Sequence, residues 1–183
     1  RGIANLATLE MSSLCAEPTP EETGNGFVAC IFDVEHPSEE EMAAFQKREE
    51  EFELVEARFT ELDAIEGEVP LMGTGLLCAA STDEAYIQQW GQELFDSRYC
   101  AHGLETIWGW GPESGIRPCP VYLRHCVLAT SKQGVDPRAT ESFLDETFLV
   151  DRVTTIREYL ESDHGAHVMS SEPPASLIGR YSG

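Results

Sequence analysis

Basic residues are scarce in this chain: 12 lysines and arginines face 33 aspartates and glutamates, a formal net charge of −21. A surface so negative repels phosphate backbones and anionic headgroups, which argues against nucleic acid or a lipid surface as partner. It leaves a solubilising coat, or a protein partner with a basic surface, as the readings of the acid. Long apolar runs are also missing, so nothing reaches the length needed to span a bilayer, and no secretory signal opens the chain. The six cysteines (15, 30, 78, 100, 119 and 126) contain no C-x-x-C pair. That spacing predicts thiols in an intracellular, reducing compartment (cytoplasm or an organelle interior) rather than a disulfide framework or metal ligands. His164 and His167 flank Gly165 with no acid at useful spacing, so they make a poor metal pair. Phosphate-binding glycine loops and the G-x-S-x-G elbow are absent as well, which removes the usual markers of nucleotide binding and serine hydrolysis. His125 beside Cys126 is no dyad, because neighbours on a helix diverge by roughly 100°.

What remains is a chain of 183 residues, 42% hydrophobic, without repeats, and long enough for a single packed domain. Residues 1–35 read as β, with a loop at Pro18–Gly26 and Phe27–Val34 as the clearest strand, almost continuously apolar and so expected to be covered on both faces. Cys30 and Cys78 sit in such runs, where a thiol acts as a small hydrophobe. Ser38 and Glu41 predict a capping box opening a helix, with Met42, Phe45 and Glu49 on one side and Glu50 solvated. Phe52–Phe59 reads as a strand, Glu61–Gly75 as an exposed acidic excursion, and Leu76–Ala80 as another short strand. Ser81 and Glu84 predict the next capped helix. Residues 97–117, with two tryptophans and four glycines, read as an irregular loop.

The second half turns helical. Pro118 and Pro120 stop what precedes them, and a helix follows as far as Lys132-Gln133-Gly134. Asp136-Pro137 is an N-cap and first-turn proline for a helix carrying Phe143, Leu144 and Phe148. A third helix is expected after Asp151, using Val153, Ile156 and Leu160. The layout is therefore strands with two helices over 1–116, helices over 117–162 and an extended tail over 163–183. It is an α+β class, with a mostly antiparallel sheet or small barrel.

Glu49 is the one carboxylate with a positional argument for chemistry. A glutamate on the apolar side of a helix that leads into a strand loses hydration, which favours its neutral form and suits it to passing a proton. The plain alternative is a solvated acid in the run Glu49-Glu50-Glu51, with Arg48 as an ion-pair partner.

These segments resemble the γ-glutamylcyclotransferase-like family. The apolar strand, short helix, Arg48-Glu49 step and following Phe52 are similar to its catalytic segment. Arg117–Leu123 through Phe143-Leu144 is similar to its proline-and-tyrosine helix and the helix beyond, and Gly2–Leu6 to its second strand. The resemblance implies a small mixed or antiparallel β-barrel with flanking helices. It implies release of 5-oxoproline from γ-glutamyl amines or peptides, by attack of the substrate's own α-amine on its γ-carbonyl. Nucleophile and electrophile belong to one molecule, so no cofactor is required. Glu49 would carry the proton, while Phe52 and Tyr122 would be wall residues of the substrate site. The family's Tyr-Gly-Ser-x-Leu cradle occurs nowhere in 1–183. Either that first strand precedes Arg1 in a longer protein, or the chain is a non-catalytic binding or scaffold subunit built on the same fold.

Overall fold

In the computed structural model, which describes residues 2–19, 26–63 and 68–182, these residues form seven α-helices and four strands. Residues 20–25 of the expected first loop and 64–67 of the expected acidic excursion lie outside the described residues. The contacts gather the chain into two compact units, one holding residues 2–14, 26–30 and 110–182, the other residues 15–19 and 31–109.

In the second unit, helix α1 (Glu39–Arg48) opens on the expected capping box. The Ser38 amide donates to Glu41 Oε2 at 2.8 Å, and the Glu41 amide donates to Ser38 Oγ at 3.2 Å. Three glutamates in its first turn and Lys47 and Arg48 in its last complement the helix dipole. No residue of α1 is fully buried; Met42 and Phe45 are half-covered, with the Arg48 guanidinium 5.2 Å from the Phe45 ring centre. Strands β2 (Glu53–Thr60) and β3 (Met72–Ala79) follow as an antiparallel pair, with Glu53 opposite Ala79 and Thr60 opposite Met72. The excursion thus ends earlier than its glycines suggested. Gly73 and Gly75 belong to β3 because Phe59 lies over Gly73, where an added Cβ would meet the ring at 2.7 Å.

Helix α2 (Asp83–Trp90) is capped by Thr82, not Ser81: the Thr82 hydroxyl accepts from the Ala85 amide at 3.1 Å. Gly91, at φ 93°, breaks the chain into a further helix, α3 (Gln92–Arg98). Tyr86, Phe95 and Tyr99 then meet in edge and tilted contacts, with centroids 5.4–6.1 Å apart, and supply most of this unit's core.

In the first unit, strand β1 (Glu10–Ser12) pairs in parallel with β4 (Arg117–Pro118). Helices α4 (Pro120–Thr130) and α5 (Pro137–Glu146) start at their prolines, and the Asp136 carboxylate accepts from the Arg138 amide at 2.9 Å. Helix α6 (Ile156–Glu161) begins later than expected. Asp151 takes the amides of Val153 and Thr154 at 3.0 and 2.9 Å, an alternative to helical bonding that leaves Val153 75% exposed. Thr155 and Glu158 then form a second capping box. Leu123, Ile156, Tyr159 and Val168 make the core, flanked by Leu14, Val127, Phe143, Leu144, Leu149 and Leu160. Gly165 packs directly on α6, since a Cβ there would stand 2.0 Å from the Tyr159 carbonyl oxygen. The tail is not extended: Val168–Ser170 and Ala175–Leu177 are 3-10 turns, and helix α7 (Ile178–Tyr181) buries Tyr181.

Three further expectations fail. The described residues form two two-stranded sheets, one parallel and one antiparallel, with no closed barrel. Phe27–Val34 is neither helix nor strand, and its Phe32 is 81% exposed. Pattern identifies a residue suited to a sheet, but a strand exists only where a neighbour takes its backbone hydrogen bonds. Cys30, in the same run, is exposed. Among the described residues no helix is long and apolar enough to cross a membrane.

Leu123 is wholly buried. Leu123→Ala is expected to lower unfolding free energy by about 2–5 kcal/mol. Val153→Ser, at an exposed position, should change it by less than about 0.5 kcal/mol. Urea unfolding followed by circular dichroism measures both.

Candidate functional site

The turn from Arg48 to Phe52 concentrates the ionisable groups of the second unit. Glu49 is the C-cap of α1: its amide donates to the Phe45 carbonyl at 3.0 Å, and its own carbonyl accepts from the Phe52 amide at 2.9 Å. Its Oε1 accepts from Arg48 Nε at 2.7 Å, and its side chain is 20% exposed against 56% for Arg48. The carboxylate also lies close enough to β3 to act on Cys78, whose thiol is pushed up first by burial and then by the Glu49 charge.

Leaving the helix at Glu49 changes which acid is buried. The helical wheel placed Glu50 in solvent, but the wheel no longer applies past Arg48, and Glu50 is 5% exposed. It forms an ion pair with Arg98 at the end of α3. Glu51 accepts a 2.6 Å hydrogen bond from the Tyr99 hydroxyl. Burial, then the Glu51 charge, holds Tyr99 far above the ordinary tyrosine range, so the phenol stays a donor. The Glu51 carbonyl accepts from the Trp108 indole N–H at 2.9 Å, and Trp108 meets Phe52 edge-on with centroids 5.8 Å apart.

Trp108 is itself held by Asp83. The Asp83 Oδ1 accepts from the amides of Ile107 and Trp108 at 2.8 and 3.0 Å, and Oδ2 accepts from the Thr106 hydroxyl at 2.5 Å. One carboxylate in the first turn of α2 therefore organises the loop that looked irregular in sequence. Asp83, Arg98, Tyr99 and Trp108 were not picked out by sequence reasoning. Their partners lie 23 to 57 residues away, beyond any local spacing rule.

Of the residues singled out from sequence, Glu49 and Phe52 share this turn. Tyr122 belongs to the other unit, half-buried on α4. There it hydrogen-bonds the Cys126 thiol, which burial nonetheless pushes up to about 11. The two tail histidines take separate partners: His164 Nδ1 lies 3.0 Å from Arg117, and His167 Nε2 lies 3.0 Å from the buried Glu10. Cys119 donates to the Ile3 carbonyl at 3.1 Å. An open cavity of about 390 Å³ in the first unit, lined by Lys132, Val135, Thr140, Leu144 and Arg157, includes none of Glu49, Phe52 or Tyr122.

Comparison with family models, with curated proteins and with solved structures finds no significant match for this chain.

Removing Arg98 leaves Glu50 buried without its cation, so Arg98→Ala is expected to cost about 3–5 kcal/mol, with part recovered by adding Glu50→Gln. Tyr99 holds its proton more tightly folded than unfolded. Its contribution is therefore whole below about pH 10 and lost as pH rises above that. Tyr99→Phe should flatten this alkaline decline in a pH series of melting temperatures.

Proposed function

We propose that this chain acts as a γ-glutamylcyclotransferase-like protein, releasing 5-oxoproline from a γ-glutamyl amine or peptide, with Glu49 as proton carrier. One observation carries the reading. Glu49 is a largely sheltered carboxylate, 20% exposed, on a turn pinned at both ends and oriented by Arg48, with Phe52 three residues on and braced by Trp108. That places a carboxylate in a fixed position from which it can meet a substrate's ammonium group.

In the proposed reaction the substrate's α-ammonium gives a proton to Glu49. The freed amine attacks the γ-carbonyl carbon, closing a five-membered ring. The bond from that carbon to the departing amine breaks as Glu49 gives its proton to the leaving nitrogen, and the second proton still on the ring nitrogen passes through Glu49 to the departing amine, which leaves as an ammonium ion. The products are 5-oxoproline and a free amine or peptide; no redox change and no added reactant is involved. Ring closure within one molecule needs little further ordering, so positioning and proton transfer are the protein's share. Phe52, three residues on from Glu49, supplies an apolar wall.

A second reading, a non-catalytic binding subunit, is favoured by a different observation. Phe27, Ile31, Phe32 and Val34 are 57%, 57%, 81% and 64% exposed along one apolar run. Such a run, on a chain with 33 acidic residues, suits a protein partner with apolar and basic surface.

Incubating the protein with γ-glutamyl peptides and amines and quantifying 5-oxoproline by chromatography separates the two. The first reading expects turnover, with Glu49→Gln lowering it by about 10²-fold or more. The loss of one part-exposed ion pair should move stability by about 1 kcal/mol or less. Equal turnover in wild type and Glu49→Gln removes Glu49 from the chemistry. No release from any γ-glutamyl substrate leaves the binding reading.

A further inference from the structure

Two cysteines far apart in sequence come into register in the second unit. The short segment at Ala16 adds to β3 as a parallel bridge: the Ala16 amide donates to the Cys78 carbonyl at 3.3 Å, and the Ala80 amide donates to the Ala16 carbonyl at 2.8 Å. This pattern sets Ala16 beside Ala79. Carrying that register one residue back along each segment places Cys15 next to Cys78, and laterally paired residues of a sheet direct their side chains to the same face. Adjacent strands run about 4.7–4.9 Å apart, inside the 4.4–6.8 Å range of Cα separations that a disulfide spans.

We propose that Cys15 and Cys78 are a redox-active pair that closes a reversible cross-strand disulfide, with a small-molecule disulfide as oxidant. The inference rests on the β3 register and is independent of any role for Glu49 in catalysis. Both residues are half-buried, so a small disulfide can approach them. The other four lack one or another requirement. Cys119 is buried and engaged with the Ile3 carbonyl, and Cys126 sits against Tyr122. Cys30 and Cys100 are exposed, and among the described residues no strand pairing places a second cysteine beside either of them.

The exchange proceeds in two displacements. The Cys15 thiolate attacks one sulfur of the small disulfide, forming a mixed disulfide and expelling one small thiolate. The Cys78 sulfur, deprotonated as it attacks, displaces the second small thiolate from Cys15 and completes the protein disulfide. Two protein thiols are oxidised, one small disulfide is reduced to two thiols, and the two protons leave with those thiols. Burial and the neighbouring Glu49 charge push the Cys78 thiol up, which suits it to the second, intramolecular step rather than to the first encounter. The link ties residue 15 to the β2–β3 pair next to the Arg48–Phe52 turn.

The test equilibrates the intact protein with defined mixtures of oxidised and reduced glutathione, quenches with acid, alkylates remaining thiols under denaturing conditions and maps the peptides by mass spectrometry. The expected result is joint loss of alkylated Cys15 and Cys78 peptides, replaced by one cross-linked species that dithiothreitol returns to thiols. Cys119 and Cys126 should stay alkylated in the same samples. Cys78→Ser should abolish the cross-link and leave glutathione trapped on Cys15. Failure of wild type to form the 15–78 cross-link at any glutathione ratio, or prior formation of a different intramolecular pair, overturns the proposal. These readouts do not involve 5-oxoproline, so they stand or fall apart from the proposed activity.

Discussion

A carboxylate can leave water only when donors or a cation meet it, and this chain has to satisfy that rule with 33 acids and 12 lysines and arginines. Most of its acids stay in solvent. The few drawn inward each meet a specific arrangement: Glu50 has Arg98, Glu51 has the Tyr99 hydroxyl, and Asp83 has two amides and a hydroxyl. In the first unit Glu10 meets His167 and Thr8. Each withdrawn acid has at least one partner distant in sequence, so each also pins two distant segments together. The acidic composition thereby becomes a source of tertiary constraint.

In the second unit these pins converge on one turn. Asp83 fixes Trp108, Trp108 fixes the Glu51 carbonyl and the Phe52 ring, and Arg98 and Tyr99 fix the side chains of Glu50 and Glu51. Glu49 stands at the one place in this run where the chain leaves a helix and enters a strand. Its neighbours hold the backbone, while Arg48 orients the carboxylate. A group that must move a proton repeatedly needs such a support, because rate depends on geometry held to fractions of an ångström. The same rigidity serves a binding role equally well, since a pre-ordered surface loses less entropy on association.

The first unit is built differently, from two prolines that start helices, two N-caps and a compact aliphatic core around Leu123 and Ile156. Its polar contacts are mostly local to helix ends. Asp136 lies at about 2, lowered by its hydrogen bonds to Arg138 two residues on. Such a unit draws stability from burial more than from charge.

What local chemistry encodes was legible in the sequence. The Ser38–Glu41 capping box, the Asp136-Pro137 start, the helix at Pro120 and the β2 strand each depend on residues within a few positions of one another. The Arg48-Glu49 step at the helix-to-strand junction was likewise visible. Partnership across the chain was not. Phe27–Val34 has the apolar pattern of a strand but pairs with no strand among the described residues, Gly73 enters a strand beneath Phe59, and Glu50 is buried because Arg98 awaits it. Sequence alone thus determined where α1, α4 and α5 start and how α1 and α5 are capped, because those choices are settled by nearest neighbours. Only tertiary structure decided which acids leave water and which strands pair, because both need a partner that lies tens of residues away.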